Sequence, residues 1–155
     1  MNSGPPVPVK VSFSFYPADM AALHTQTLEL RRLGAAVRRG TVLRALLELT
    51  SETEMFAAAV LLHRDQAAKA GPREADNVAG IPTVDVPRRL IEKLDRVVTE
   101  LAAESINVNR AYVVRASLRA APSPAAWVPA VKKFLKDFPR RPRRAPVKPK
   151  RHARR

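Results

Sequence analysis

Residues 11–47 and 82–118 align as two copies of one unit at a constant spacing of 71 residues, with no gap. Val11-Ser-Phe-Ser-Phe15 lies over Pro82-Thr-Val-Asp-Val86, Leu23 over Leu94 and Leu30 over Leu101. Arg39-Gly-Thr-Val-Leu-Arg-Ala45 lies over Arg110-Ala-Tyr-Val-Val-Arg-Ala116. A unit this short cannot bury its own apolar face, so its natural partner is the other copy. The expected fold is a dimer written into one polypeptide.

Each copy reads strand, helix, turn, helix. Val9, Val11, Phe13 and Phe15 alternate with Lys10, Ser12 and Ser14, the period of a strand with one buried and one exposed face. Pro17 suits the first turn of a helix whose one side carries Met20, Leu23, Thr27, Leu30 and Leu33 and which Gly34 stops. After Ala35-Ala-Val-Arg38, the residues Val42, Leu43, Leu46, Leu47 and Leu49 make the apolar face of a second helix. In the second copy Thr83–Val86 form a shorter strand, Pro87 starts a helix with Ile91, Leu94, Val98 and Leu101 inside, and Asn109 caps a helix closed by Pro122.

Outside the copies, Ser51-Glu-Thr-Glu54 reads as a capping box for a helix through Met55, Phe56, Val60 and Leu61 that Gly71-Pro72 ends. Trp127, Val131, Phe134, Leu135 and Phe138 indicate one more amphipathic segment. The expected divisions are a flexible arm over 1–8, a first unit over 9–50, a linker helix and loop over 51–80, a second unit over 81–122, a short amphipathic helix over 123–139 and a disordered basic tail over 140–155.

An apolar share of 46% in 155 residues is ordinary for a globular chain and allows one modest core. With no cysteine, disulfides, thiol catalysis and cysteine-ligated zinc are excluded. The stretch Asn2-Ser-Gly-Pro-Pro-Val-Pro8 has no basic segment followed by an apolar one, and no apolar run approaches the ~20 residues of a membrane span. A cytoplasmic protein is expected. Of the net charge of +14, nine positive charges lie in 140–155 with no acid among them, which leaves +5 for the first 139 residues. Such an excess points to a polyanion, nucleic acid rather than membrane, because the tail has no bulky apolar face to insert.

Two strand-helix-helix units, with arginine at the start of the second helix and an apolar run after it, resemble the ribbon-helix-helix family of DNA-binding proteins. The resemblance covers both repeats. It is similar to the rarer single-chain tandem form found among accessory proteins of T-DNA transfer on tumour-inducing plasmids. It implies a mainly α fold with a two-stranded antiparallel β-ribbon, a tandem ribbon-helix-helix pseudo-dimer in one chain. In that family the ribbon enters the DNA major groove and the helices form the shared core.

The chemistry supports the same surface independently. A ribbon in the major groove needs small polar or cationic side chains outward, where they reach donors and acceptors on base edges. Lys10, Ser12 and Ser14 meet that need, as does Thr83; Asp85 departs from it, since a carboxylate accepts from cytosine N4 but is repelled by phosphates. A plain solvated strand face explains the same alternation, and the recurrence of the unit is what favours the reader. Unsatisfied backbone N–H groups at the start of the second helices hold phosphates, which assigns Arg38, Arg39, Gly40 and Thr41, and Asn109, Arg110, Ala111 and Tyr112, to a phosphate clamp. Arg44 and Arg115 also recur, as DNA contacts or as ion pairs at the core rim. Trp127 reads as a core or docking residue rather than a base-stacking platform.

The tail cations Arg140, Arg141, Arg143, Arg144, Lys148, Lys150, Arg151, Arg154 and Arg155 are expected to bind phosphates without sequence preference, or to serve as a basic address or docking segment. No enzyme signature is present: His24, His63 and His152 lack ligand spacing, Glu52 and Glu54 sit in a capping context, and there is no phosphate loop or nucleophile elbow. No cofactor or metal is expected.

The leading expectation is sequence-selective binding of double-stranded DNA by a monomeric pseudo-dimer, able to sit side by side along DNA. Its role would be that of a transcriptional regulator or of a plasmid or DNA-transfer accessory factor beside a relaxase, recombinase or partition ATPase, nucleoid- or plasmid-associated. The alternatives are an interaction adaptor docking partners through 51–70 and 127–138, and nonspecific nucleic-acid coating driven by the tail. An antitoxin role is disfavoured because the segment after the second unit is basic.

Overall fold

The computed structural model describes residues 8–68 and 78–139. In chain order these form β1 (Val9–Ser12), α1 (Pro17–Arg32), α2 (Arg39–Leu49), α3 (Glu52–Ala68), β2 (Thr83–Val86), α4 (Arg88–Ala103), α5 (Arg110–Arg119) and α6 (Pro124–Asp137). The protein is mainly helical, with one two-stranded antiparallel sheet among the described residues. The spacing of 71 that separates Ser12 from Thr83 also separates the first residues of α1 and α4, their last residues, and the first residues of α2 and α5.

The strands pair Val9 with Val86, Lys10 with Asp85, Val11 with Val84 and Ser12 with Thr83. The ladder runs on past β1, because the Phe13 N–H donates to the Pro82 carbonyl at 3.1 Å and Phe15 bridges Gly80. Phe13, Phe15, Val84 and Val86 are buried beneath it, while Lys10, Ser12, Ser14, Thr83 and Asp85 are exposed. At the centre, the hydroxyls of Ser12 and Thr83 lie 2.9 Å apart in a cross-strand hydrogen bond.

Local sequence sets the helix ends. Pro17 opens α1, and the Asp19 carboxylate accepts from the Tyr16 N–H at 3.0 Å. Gly34 closes α1 at φ 94°, with the Ala35 N–H on the Leu30 carbonyl at 2.9 Å. The same closure recurs after α4, where Ile106 N–H reaches the Leu101 carbonyl at 2.9 Å, but there Ser105 must adopt φ 63°. A serine pays a steric cost at that angle that glycine does not. The capping box of α3 forms as expected, with Ser51 N–H on Glu54 Oε1 and Glu54 N–H on Ser51 Oγ, both at 3.1 Å. Asn109 caps α5 by accepting the Tyr112 N–H at 2.9 Å.

The apolar centre is built from α2 and α5, through Val42, Leu43, Leu46 and Leu47 and through Val113, Val114 and Leu118. Around it, the third helices cross over. The helix α3 packs on α4 and α5, and α6 packs on α1 and α2, so each braces helices of the other repeat. Met55, Ala59 and Leu62 of α3 are buried, and so are Trp127, Val131 and Phe134 of α6. Segments expected to be a linker helix and an appended amphipathic helix are therefore parts of the core.

Two details differ from the helical pattern read in the sequence. Leu33, the C-cap of α1, and Leu49, the last residue of α2, are 40% and 39% exposed, although the sequence placed both on apolar faces. The buried stripe of α1 contains Asp19 and Gln26 beside the expected Leu23, Thr27 and Leu30. Gln26 is satisfied there: it accepts from Trp127 Nε1 at 3.0 Å and donates to the Pro122 carbonyl at 2.9 Å. Those hydrogen bonds fasten α6 to α1, a contact that apolar periodicity cannot reveal.

Candidate nucleic-acid interface

The outer face of the ribbon is a short polar surface with one apolar member. Between the Phe13–Pro82 and Phe15–Gly80 contacts lie Ser14 and Ile81, and Ile81 is 62% exposed. Together with Lys10, Ser12, Ser14, Thr83 and Asp85, it completes the outward row. Ile81 was missed in the sequence reading, although the spacing of 71 places it over Lys10. The row is thus unlike in its two strands, with Lys10 opposite Asp85 and an isoleucine where the first strand has lysine.

Beside the ribbon stands the first turn of α2. Gly40 lies beside β2, where a Cβ would make ordinary contact with Val84 Cγ2 at 3.8 Å. Arg38 occupies the N-cap without a side-chain capping bond, which leaves the N–H groups of Arg39, Gly40 and Thr41 to the first turn's positive end. The Arg38 and Arg39 side chains are exposed, and among the described residues Arg39 has no carboxylate partner. The Thr41 side chain is buried, so this residue offers a backbone N–H rather than a hydroxyl.

The matching turn of α5 is built differently. Its Tyr112 N–H is taken by the Asn109 side chain, and the Tyr112 hydroxyl donates to Gln66 Oε1 of α3 at 3.0 Å. Arg110 is held by both oxygens of Asp95 on α4, at 2.6 and 2.9 Å. The hydrogen bonds from Arg110 hold the Asp95 carboxyl below the usual carboxylate range, and Asp95 in turn raises the Arg110 guanidinium. His24 stands at the position that corresponds to Asp95, so Arg39 faces no equivalent acid. Of the two expected clamps, the first presents its cations outward and the second has its arginine tied to the protein.

The second pair of recurring arginines divides in the same way. Arg115 is an ion-pair residue: its Nε donates to Asp19 Oδ2 at 2.6 Å, both side chains are buried, and its guanidinium lies 4.3 Å from the Tyr16 ring centroid. Arg119 reaches the other oxygen of Asp19 at 2.8 Å. Arg44 is half-buried, and Leu90 stands where a second Asp19 would be. On that side of the molecule the tie between repeats runs with reversed polarity, Glu48 of α2 holding Arg89 of α4 at 2.8 and 2.7 Å. Glu48 raises the Arg89 pKa through these bonds. Lys93, whose pKa is lowered mainly by burial, donates to the Leu47 carbonyl at 2.7 Å.

Other residues singled out in the sequence sit away from this face. His24 and His63 are exposed on α1 and α3, and Trp127 is 6% exposed in the core. Arg140 to Arg155, residues 1–7 and the segment 69–77, including the Gly71-Pro72 stop, lie outside the described residues. No helix among the described residues is long and apolar enough to cross a membrane. The chain matches no family model, no curated protein and no solved structure.

Proposed function

We propose that this chain is a sequence-selective double-stranded-DNA-binding protein of the ribbon-helix-helix class, with both units supplied by one polypeptide. The observation that carries the reading is the ribbon's register. The pair at its centre, Ser12 and Thr83, is the pair related by the 71-residue repeat, and the ladder extends evenly to Val9–Val86 on one side and Phe15–Gly80 on the other. This is the register that two equivalent units related by a local two-fold axis would give, as in a C2 dimer interface, and it supports the reading. The packing of α3 on α4 and α5 and of α6 on α1 and α2 supports the same reading, although α3 rests mainly on α5 and α6 mainly on α1.

The ribbon's outer row then reads base edges, Lys10 favouring guanine and Ser12, Ser14 and Thr83 taking either donors or acceptors. The start of α2 fixes register on the phosphates. Because Lys10 and Ile81 differ, and Arg39 and Arg110 differ, one chain recognises an asymmetric site. The protein acts without catalysis, as a transcriptional regulator or an accessory factor in plasmid partition or DNA transfer. A partner relaxase, recombinase or partition ATPase fits the latter roles, in the cytoplasm on nucleoid or plasmid DNA. Met55, Ala59 and Leu62 of α3 and Trp127, Val131 and Phe134 of α6 are taken up in the core, while Leu61 and Phe138 stay exposed, so the adaptor reading is tested by the same experiment.

The test is selection from random duplexes using the chain with its nine tail cations replaced by glutamine. An enriched asymmetric motif, abolished by substituting Lys10, Ser12 and Ser14, is the expected result. No enrichment would move the protein to nonspecific binding, and a symmetric motif from one chain would overturn the pseudo-dimer.

A further inference from the structure

The turn between α1 and α2 forms a groove whose counterpart at the α4–α5 turn, lined in part by Ala102, Asn107, Val108 and Asn109, differs in charge. The lining of the α1–α2 groove is Arg31, Gly34, Ala35, Ala36, Val37 and Arg38, with no acid among them. Arg31 is pinned across the turn by its Nε, which donates to the Val37 carbonyl at 2.7 Å. From the other side comes Lys132 of α6: a Cβ on Gly34 would lie 3.3 Å from its Nζ. Arg31 and Arg38 thus line the groove, and Lys132 approaches it at Gly34. Among the described residues neither Arg38 nor Lys132 has a carboxylate partner. Like charges brought together without a counter-charge repel, and an anion in the groove removes that cost.

The position of the groove selects the anion. Arg38 is both its end and the N-cap of α2, so the groove continues directly from Arg39 and the first-turn N–H groups beside the ribbon. At the corresponding turn after α4 the sequence places Ala102 for Arg31 and Asn109 for Arg38, with Glu104 adjacent and Arg110 held by Asp95. The cationic extension is therefore confined to one end of the ribbon.

We propose that the Arg31–Arg38–Lys132 groove is a second duplex-contact surface, which seats backbone phosphates flanking the ribbon's site on the side of the first repeat only. This rests on the DNA-binding reading above. Its consequence is orientation: the protein grips one flank of its site and leaves the other exposed, so anything recruited beside it meets a defined side.

The test uses the full chain and the double variant R38Q/K132Q, with N107A on the other turn as control. Both substituted cations are exposed, and an unchanged thermal midpoint verifies the fold. Each phosphate contact contributes ~0.9 to the slope of log affinity against log salt, so the double variant should lower the slope by about 2 on any duplex while N107A leaves it unchanged. On the selected duplex, trimming one flank should weaken the wild type several-fold, trimming the other should not, and R38Q/K132Q should abolish the difference. An unchanged slope, or equal sensitivity of both flanks, overturns the groove. A lowered slope on a protein that shows no base preference retains the groove and sinks the ribbon reading instead.

Discussion

Removing the Asp19 carboxylate should be the most damaging single change outside the apolar core. Asp19 is fully buried and accepts from Arg115 Nε at 2.6 Å, Arg119 Nε at 2.8 Å and the Tyr16 N–H at 3.0 Å. The substitution D19A leaves the 6%-exposed Arg115 without its charge partner, a change that costs about 3–5 kcal/mol when one member of a buried pair is deleted. Arg119 is 26% exposed and can turn to water, which places the expected loss near ~3 kcal/mol. Against a total of ~5–15 kcal/mol this is a large fraction, and for a chain of this size it lowers the thermal midpoint by roughly 6–12 °C. The reversed tie on the other side supplies the control, because Arg89 is 51% exposed and E48A should cost no more than ~1 kcal/mol. Urea unfolding of the full chain followed by far-ultraviolet dichroism measures both. If D19A is no more costly than E48A, the argument that Asp19 neutralises a buried charge is refuted. The double variant D19L/R115M, which puts leucine at the position equivalent to Leu90 and removes the buried guanidinium, should recover most of the loss, since an apolar pair of similar volume replaces a buried ion pair at little cost.

The remaining predictions concern the two unlike halves. R39Q should weaken DNA binding and lower the salt slope by ~1, while R110Q should change it little because Asp95 already holds that guanidinium; D95N should release Arg110 and raise affinity, all measurable by titrated gel shift. Ile81 should contact a thymine methyl in the bound site, so replacing that thymine with deoxyuridine should cost about 0.8 kcal/mol, roughly fourfold in Kd, for the wild type and nothing for I81A; equal loss in both proteins would count against the contact. S105G should stabilise the chain by up to ~1 kcal/mol and G34A should destabilise it by a similar amount, since both positions have positive φ and Gly34 also faces Lys132.

Much of the fold was legible because it depends on local rules. Period-two alternation marked β1 and β2, Pro17 and Asn109 marked helix starts, and the Ser51–Glu54 capping box appears atom for atom. The repeat told which strands would pair, since neither unit could bury Phe13 and Phe15, or Val84 and Val86, alone. What escaped was polar burial. Asp19 and Gln26 have charged or polar side chains that pattern reading sends to the surface, and each is buried because partners from a distant segment satisfy it there. The candidate site was legible as two matched sets of residues. It was not legible that Asp95 ties up Arg110 while Arg39 stays outward, because that difference lies in an i+15 contact between helices.

The amino-acid sequence by itself determined the repeated strand-helix-helix units, their helix boundaries, the polar outer row of the ribbon and the concentration of charge in 140–155, since these follow from short-range spacing and composition. Tertiary structure alone decided how the repeats diverge. It crossed α3 and α6 onto the opposite repeat, drew Ile81 into the ribbon's outer row, buried Asp19 between Arg115 and Arg119, and brought Lys132 to the α1–α2 turn. The physical reason is that such contacts join residues tens of positions apart, and the energy of a charge depends on the burial and the partner that only packing supplies.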